Sequence, residues 1–195
     1  GHLSPPRIKV EQCDRYPAAV GQADGRVHGQ RGRADTAVRR EEASTQLRDR
    51  IVRGDTTVLV PIGGTEQNGA HMVLGKHNVR VRLLAGRIAQ QLGRAVVAPV
   101  MAYVPEGGLN PPTGHMRYPG TITVPADVYR RVLESTARSL RLAGFQNIVF
   151  LGDSGDYQKD NESVARQLDR EWAGTAVRVV AIGEFYQAAT VGFAS

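Results

Sequence analysis

The chain has 195 residues, 41% of them hydrophobic, and a formal net charge of +6, which suits one soluble globular domain with a sizeable core. Of its 25 Lys and Arg only Lys9, Lys76 and Lys159 are lysines, and no basic block interleaved with aromatics appears, so no nucleic-acid partner is expected. The single cysteine, Cys13, excludes an intramolecular disulfide and a cysteine-based metal site, and no apolar run approaches the roughly 18 residues of a membrane span, so no membrane partner is expected.

Residues 1–43 combine Pro5-Pro6, scattered Gly and charges of both signs without a period of 2 or 3.6. They read as an extended or disordered N-terminal arm, suited to contacts with a neighbouring subunit. The chain opens Gly1-His2 without Met and shows no signal-peptide pattern. A cytoplasmic location is therefore expected, with a removed export signal as the alternative.

From Ser44 the pattern becomes regular. Ser44 and Thr45 can cap a short helix through Leu47, Ile51 and Val52, which Gly54-Asp55 ends. Four β-branched apolar runs follow, Thr57 to Ile62, Ala95 to Val100, Asn147 to Leu151 and Val177 to Ile182, which suit strands covered on both faces. Helical patterns separate them over Val79 to Leu92, Ala126 to Ala143 and Asn161 to Trp172, with Gly93, Gly144 and Gly174 at the expected C-terminal turns. Strands alternating with helices predict an α/β fold of three α/β/α layers around a mainly parallel sheet, with ligands at the carboxyl ends of the strands.

Three segments at those ends carry chemistry. After the first strand, Glu66, Asn68, His71 and His77 lie within a dozen residues; carboxylate and imidazole donors converging there can hold Zn²⁺ or Mn²⁺. Equally, Glu66 and Asn68 can bond loop backbone while the histidines pack or cap. After the third strand, the run Gly152-Asp153-Ser154-Gly155-Asp156 offers two acids, which can join a metal site or simply form a βα turn. Between them, Pro111 to Ile122 is a long proline-stiffened loop with His115 and Arg117, suited to a substrate carbonyl or anion, or to packing against another subunit.

Taken together, these segments resemble the creatininase (creatinine amidohydrolase) family. Its first motif, Glu-Gln-His-Gly-x-His-Leu-Pro-Leu-x-x-Asp, reads here Glu66-Gln67-Asn68-Gly69-Ala70-His71-Met72-Val73-Leu74-Gly75-Lys76-His77. The family's Phe-Pro-Gly-Thr block matches Tyr118-Pro119-Gly120-Thr121, with His115 at the upstream histidine, and its Asn-Gly-His-Gly-Gly-Asn block falls on Leu151 to Asp156. The resemblance spans about Ser44 to Ile182 and implies a creatininase-like domain over 44–195. The family usually continues beyond the position of Ser195, through a His-Ala-Gly segment, so the C-terminal part of its fold is expected to be missing.

Two divalent metals are implied by the resemblance, bound through Glu, His, a bridging Asp, a second His and a further Glu. By position, Glu66 keeps its Glu, Asn68 replaces the first His, His77 the bridging Asp, and Asp153 the second His. Loss of the bridging carboxylate predicts a single Zn or Mn per subunit, held by Glu66, His77 and Asp153, with Asn68 a weaker neutral donor. The implied activity is hydrolysis of a cyclic or small linear amide, a C–N bond other than a peptide bond, by metal-activated water. His115 and Arg117 would stabilise the oxyanion or bind substrate, and His71 would tune the metal ligands. Homo-oligomers, commonly hexamers, are implied as well. The altered ligands leave two alternatives open: a non-catalytic scaffold for a small ligand or protein partner, and a metal-dependent isomerase or cyclase.

Overall fold

A computed structural model describes residues 44–192; the expected N-terminal arm lies outside them. Four parallel strands stand in the order β2-β1-β3-β4, with β1 at Thr57–Ile62, β2 at Ala95–Val97, β3 at Asn147–Gly152 and β4 at Arg178–Ala181. The five helices among the described residues are α1 (Ser44–Val52), α2 (Lys76–Leu92), α3 (Ala126–Leu142), α4 (Gln158–Glu171) and α5 (Glu184–Gly192).

Strand side chains alternate between two buried faces, as the pleat requires. Val58, Val60, Ile148 and Phe150 pack against Tyr129, Leu133 and Leu168 of α3 and α4. Leu59 and Leu151 face the other way, onto Val81, Ala85 and Ala89 of α2 and Phe185 of α5. The result is the three-layer α/β/α arrangement with a wholly parallel sheet, in which continuous apolar runs are the signature of strands covered on both sides.

Three details differ from the sequence expectation. Strand β2 ends at Val97 rather than Val100, because Pro99 has no N–H for a ladder. Helices α2 and α4 each begin three residues earlier than their apolar periodicity indicates, at Lys76 and Gln158. Helix α5 follows the last strand, its Phe185 and Ala189 spaced four apart against the sheet.

The sheet register sets the position of the site. Ile62 stands level with Gly152 across β1 and β3, and the Asp153 N–H extends the ladder to the Ile62 carbonyl at 3.0 Å. The two loops that follow these strands therefore leave the sheet side by side. The long connection 98–125 folds over the same edge. Its Met101 exchanges backbone hydrogen bonds with Pro61 and Gly63, its Ile122 N–H reaches the Thr65 carbonyl, and Val104 pairs with Thr123.

Candidate active site

Glu66 lies in the loop after β1, His77 and Arg80 in the first turns of α2, Asp153 directly after β3, and Glu106 and His115 in the long connection. The loop after β1 is fixed before any charge is considered. Asn78 accepts the Gly64 N–H and donates to Thr65 Oγ1, the Glu66 N–H meets the Leu74 carbonyl, and the Gln67 N–H meets Thr121 Oγ1. Tyr157 at the start of α4 donates its buried hydroxyl to the Ile62 carbonyl and accepts the Asp153 N–H, which locks the end of β1 to the turn after β3.

Three of the residues singled out in the sequence meet directly. The His77 ring lies between two carboxylates, with Nε2 2.8 Å from Glu66 Oε1 and Nδ1 3.0 Å from Asp153 Oδ2. Arg80 Nε straddles both oxygens of Asp153 at 2.9 and 3.0 Å, and its Nη2 reaches the Asp153 carbonyl. Asn68 donates to Glu66 Oε1 at 3.0 Å and accepts from Lys76 Nζ at 2.8 Å. Glu66 and Asp153 are 2% and 0% exposed, so these charges are removed from water and depend on their partners.

Protonation follows from that arrangement. Burial works to lower the His77 pKa, but the hydrogen bonds to Asp153 and Glu66 outweigh it and hold the imidazole pKa above its ordinary value. At Glu66 burial pulls upward, and the hydrogen bonds with His77, Glu106 and Asn68 together bring the carboxyl down to about 2. Glu106, 1% exposed, goes the other way. Burial, then the contact with Glu66 and its charge, then the charge of Asp156 push it up to about 9. Glu66 is thus ionised and Glu106 protonated at neutral pH, two carboxyls sharing one proton.

Counted as bare carboxylates, Glu66 Oε2 and both Glu106 oxygens have no hydrogen-bond donor. A proton on Glu106 shared with Glu66 Oε2 accounts for two of these three oxygens. Space for Glu106 comes from Gly64, where an added Cβ would lie 2.4 Å from Glu106 Oε1. Its backbone is held by its N–H on Thr123 Oγ1 and its carbonyl under the His115 N–H. His115 donates Nδ1–H to the Gln67 carbonyl at 3.1 Å and turns Nε2 toward Glu66 Oε2 at 3.4 Å; its side chain, 38% exposed, is the open end of the cluster.

Arg117 closes the short 3₁₀ helix Gly114–Arg117, exposed, and His71 is exposed on the turn after Gly69; neither makes a hydrogen bond or ion pair with the cluster. Glu106, Arg80 and Lys76 were not singled out by sequence reasoning. Arg80 and Lys76 carried a faint signal, being cations in the first turns of a helix, where the macrodipole disfavours positive charge. Glu106, in a Pro-Glu-Gly-Gly stretch, carried none.

A shared ion needs Glu66, His77 and Asp153 to converge on one point, and they do not. The two ring nitrogens of His77 point away from each other, so an ion at Nε2 beside Glu66 lies across the ring from Asp153. Ligands of a tetrahedral zinc stand about 3.3 Å apart, whereas the contacts at 2.8 and 3.0 Å are hydrogen bonds. Arg80 also occupies both Asp153 oxygens. Among the described residues no three His, Cys, Asp or Glu side chains form a metal-binding group. The trio as folded does not fit a divalent metal.

Comparison with known proteins places the fold and the family. The sequence model described as creatinine amidohydrolase matches residues 40–194. A mutant creatininase superposes with a TM-score of 0.60 at 22% identity, over 73% of this chain and 56% of its own; a structure described as "Creatininase Mn" gives 0.57 at 24% over the same shares. A putative creatinine amidohydrolase from Bacteroides fragilis NCTC 9343 gives 0.54 at 18%, over 71% of this chain and 53% of its own. The "Mycofactocin precursor peptide peptidase" of Mycolicibacterium smegmatis is 34% identical over 87 residues, 42% of this chain and 33% of the relative. The chain spans about half the length of the solved relatives and a third of the curated one, and at these identities the solved structures speak for the fold. The match over residues 40–194 shows more: the chain belongs to the creatinine amidohydrolase (creatininase) family.

Proposed function

We propose that the protein hydrolyses a C–N bond of a cyclic or small linear amide at the Glu66–Glu106 cluster. The observation that carries this reading is the meeting of two buried carboxyls, Glu66 and Glu106, beside the half-open His115, in surroundings that hold Glu66 well below and Glu106 well above the usual carboxyl range. Such a pair can take a proton and give one within a single reaction, the requirement of general acid–base hydrolysis.

Water attacks the amide carbonyl while Glu66 Oε2 accepts its proton. Glu106 donates its proton to the departing nitrogen, the C–N bond breaks, and a carboxylic acid and an amine form. Transfer of the proton from Glu66 to Glu106 restores the starting state, so atoms and charge balance. His77 and Asn68 hold Glu66 from the Oε1 side, and Oε2 faces Glu106 and His115. His115 lies at the entrance, where it can orient the substrate carbonyl, and Arg117, further out, suits an anionic substituent on the substrate. No step passes through a metal, because the ligand trio does not present one to the substrate.

A binding-only scaffold is the second reading. It is favoured by the complete pairing of Glu66 Oε1 and Asp153 with protein cations and amides, an arrangement that can stabilise a fold without chemistry. A panel of lactams, cyclic imides and small linear amides separates the two. The hydrolytic reading expects turnover of at least one member, lost in Glu106→Gln and unchanged by chelator. No turnover of any member by folded protein would leave the scaffold reading.

A further inference from the structure

Three nitrogen-bearing side chains stand on the first turns of α2, Lys76, His77 and Arg80, and each meets a partner at the family site: Asn68, the Glu66–Asp153 pair, and Asp153. Their placement runs against helix electrostatics. The N-terminus of a helix carries partial positive charge and favours acids, yet α2 has no acidic residue in its first turn and no side-chain cap at Gly75. Glu66 and Asp153, arriving from β1 and β3, supply the missing negative charge.

We propose that this chain replaces the divalent metal centre implied by its family with side-chain hydrogen-bond donors, Arg80 and His77 occupying Asp153 and Glu66 and Lys76 fixing Asn68, so that the folded site takes up no stoichiometric Zn or Mn. The substitutions argue the same way together. Where the family motif has His and Asp, this sequence has Asn68 and His77; where it has a second His, it has Asp153. The exchange reverses charge at two linked positions. A lost metal with no compensation would leave buried carboxylates unpaired, whereas here every oxygen of Asp153 and the Oε1 of Glu66 has a hydrogen-bond partner. The arrangement also limits chemistry. A guanidinium or imidazole binds no water as a Lewis acid, so any proton work falls to the Glu66–Glu106 pair. The inference holds whether or not the cluster turns over an amide.

Two measurements on the full chain test it. Purified protein, incubated with excess Zn²⁺ or Mn²⁺ and freed of unbound ion, is expected to retain well under one ion per chain by plasma mass spectrometry. Its melting temperature is expected to be the same in metal and in chelator. An ion specifically bound a hundredfold above its dissociation constant would raise it by roughly 5–10 °C. Nitrogen-15 NMR of the histidines is expected to show one ring with both nitrogens engaged in hydrogen bonds, unchanged by Zn²⁺ and lost in His77→Gln. Stoichiometric metal with a raised melting temperature would overturn the proposal. Metal retained by the native chain and lost in Glu106→Gln would overturn it by seating the ion among Glu66, Glu106 and His115. A His77 ring whose signals respond to Zn²⁺ would do so as well.

Discussion

The two ends of the cluster are built on opposite principles. At the Asp153 end both carboxylate oxygens are paired, with His77 and Arg80, and Tyr157 holds the backbone N–H. At the Glu106 end two carboxyls meet with no cation between them and are reconciled by a single proton. The first end resembles a buried salt bridge, whose worth lies in fixing geometry rather than in net stability. The second stores a labile proton where one side chain, His115, is 38% exposed. Glu66 belongs to both, its Oε1 held by His77 and Asn68 and its Oε2 facing Glu106 and His115.

Breaking the paired end should have the largest effect on stability. Arg80→Leu leaves the buried Asp153 charge short of its guanidinium, at a cost of about 3–5 kcal/mol, read as a lower urea midpoint with unchanged slope. A change under 1 kcal/mol would mean that Arg80 is a surface residue in solution. At the other end, Gly64→Ala places a Cβ 2.4 Å from Glu106 Oε1 at φ +153°. The variant should lose about 1–3 kcal/mol to overpacking and most of its hydrolytic activity as Glu106 is displaced; full activity would show that Glu106 does not need its present place.

Glu106→Gln sharpens the contrast, because it removes the proton store and keeps the shape. Activity should fall by about 10²–10⁴-fold, while stability above neutral pH should rise. The sign follows from linkage. Between its ordinary value of 4.5 and about 9, Glu106 keeps a proton in the folded chain that it releases on unfolding, so its contribution falls as pH rises through that window. His77, its pKa raised, acts in the same direction: its ion pairs contribute fully below its ordinary value of 6.5 and fade as pH climbs past the folded value. Glu66 acts oppositely at the acid end, losing its contribution from 4.5 down to about 2. The native protein should therefore be most stable in mildly acidic solution, and Glu106→Gln should flatten the decline above it. The smallest effect belongs to His71→Ala, which should leave activity intact and stability within about 0.5 kcal/mol, since the exposed ring touches neither end.

Much of this was legible in the sequence. The apolar runs after Thr57 and Asn147 marked β1 and β3, and the rule that ligands gather at the carboxyl ends of parallel strands put the loops bearing Glu66 and Asp153 at one edge of the sheet; the motif then drew in His77. What periodicity could not give was the path of residues 98–125, which is set by non-local backbone pairings at Met101, Val104 and Ile122 and alone brings Glu106 to Glu66. Arg80 was hidden for another reason. An arginine at a helix start reads as a solvated residue until the carboxylate it meets, 73 positions away, is known to be there.

Infrared difference spectroscopy across a pH titration tests the shared proton most directly. The account predicts a protonated-carboxyl band in the native protein at pH 7, fading only as the pH approaches about 9 and missing from Glu106→Gln. A native spectrum at pH 7 containing only carboxylate bands would contradict it.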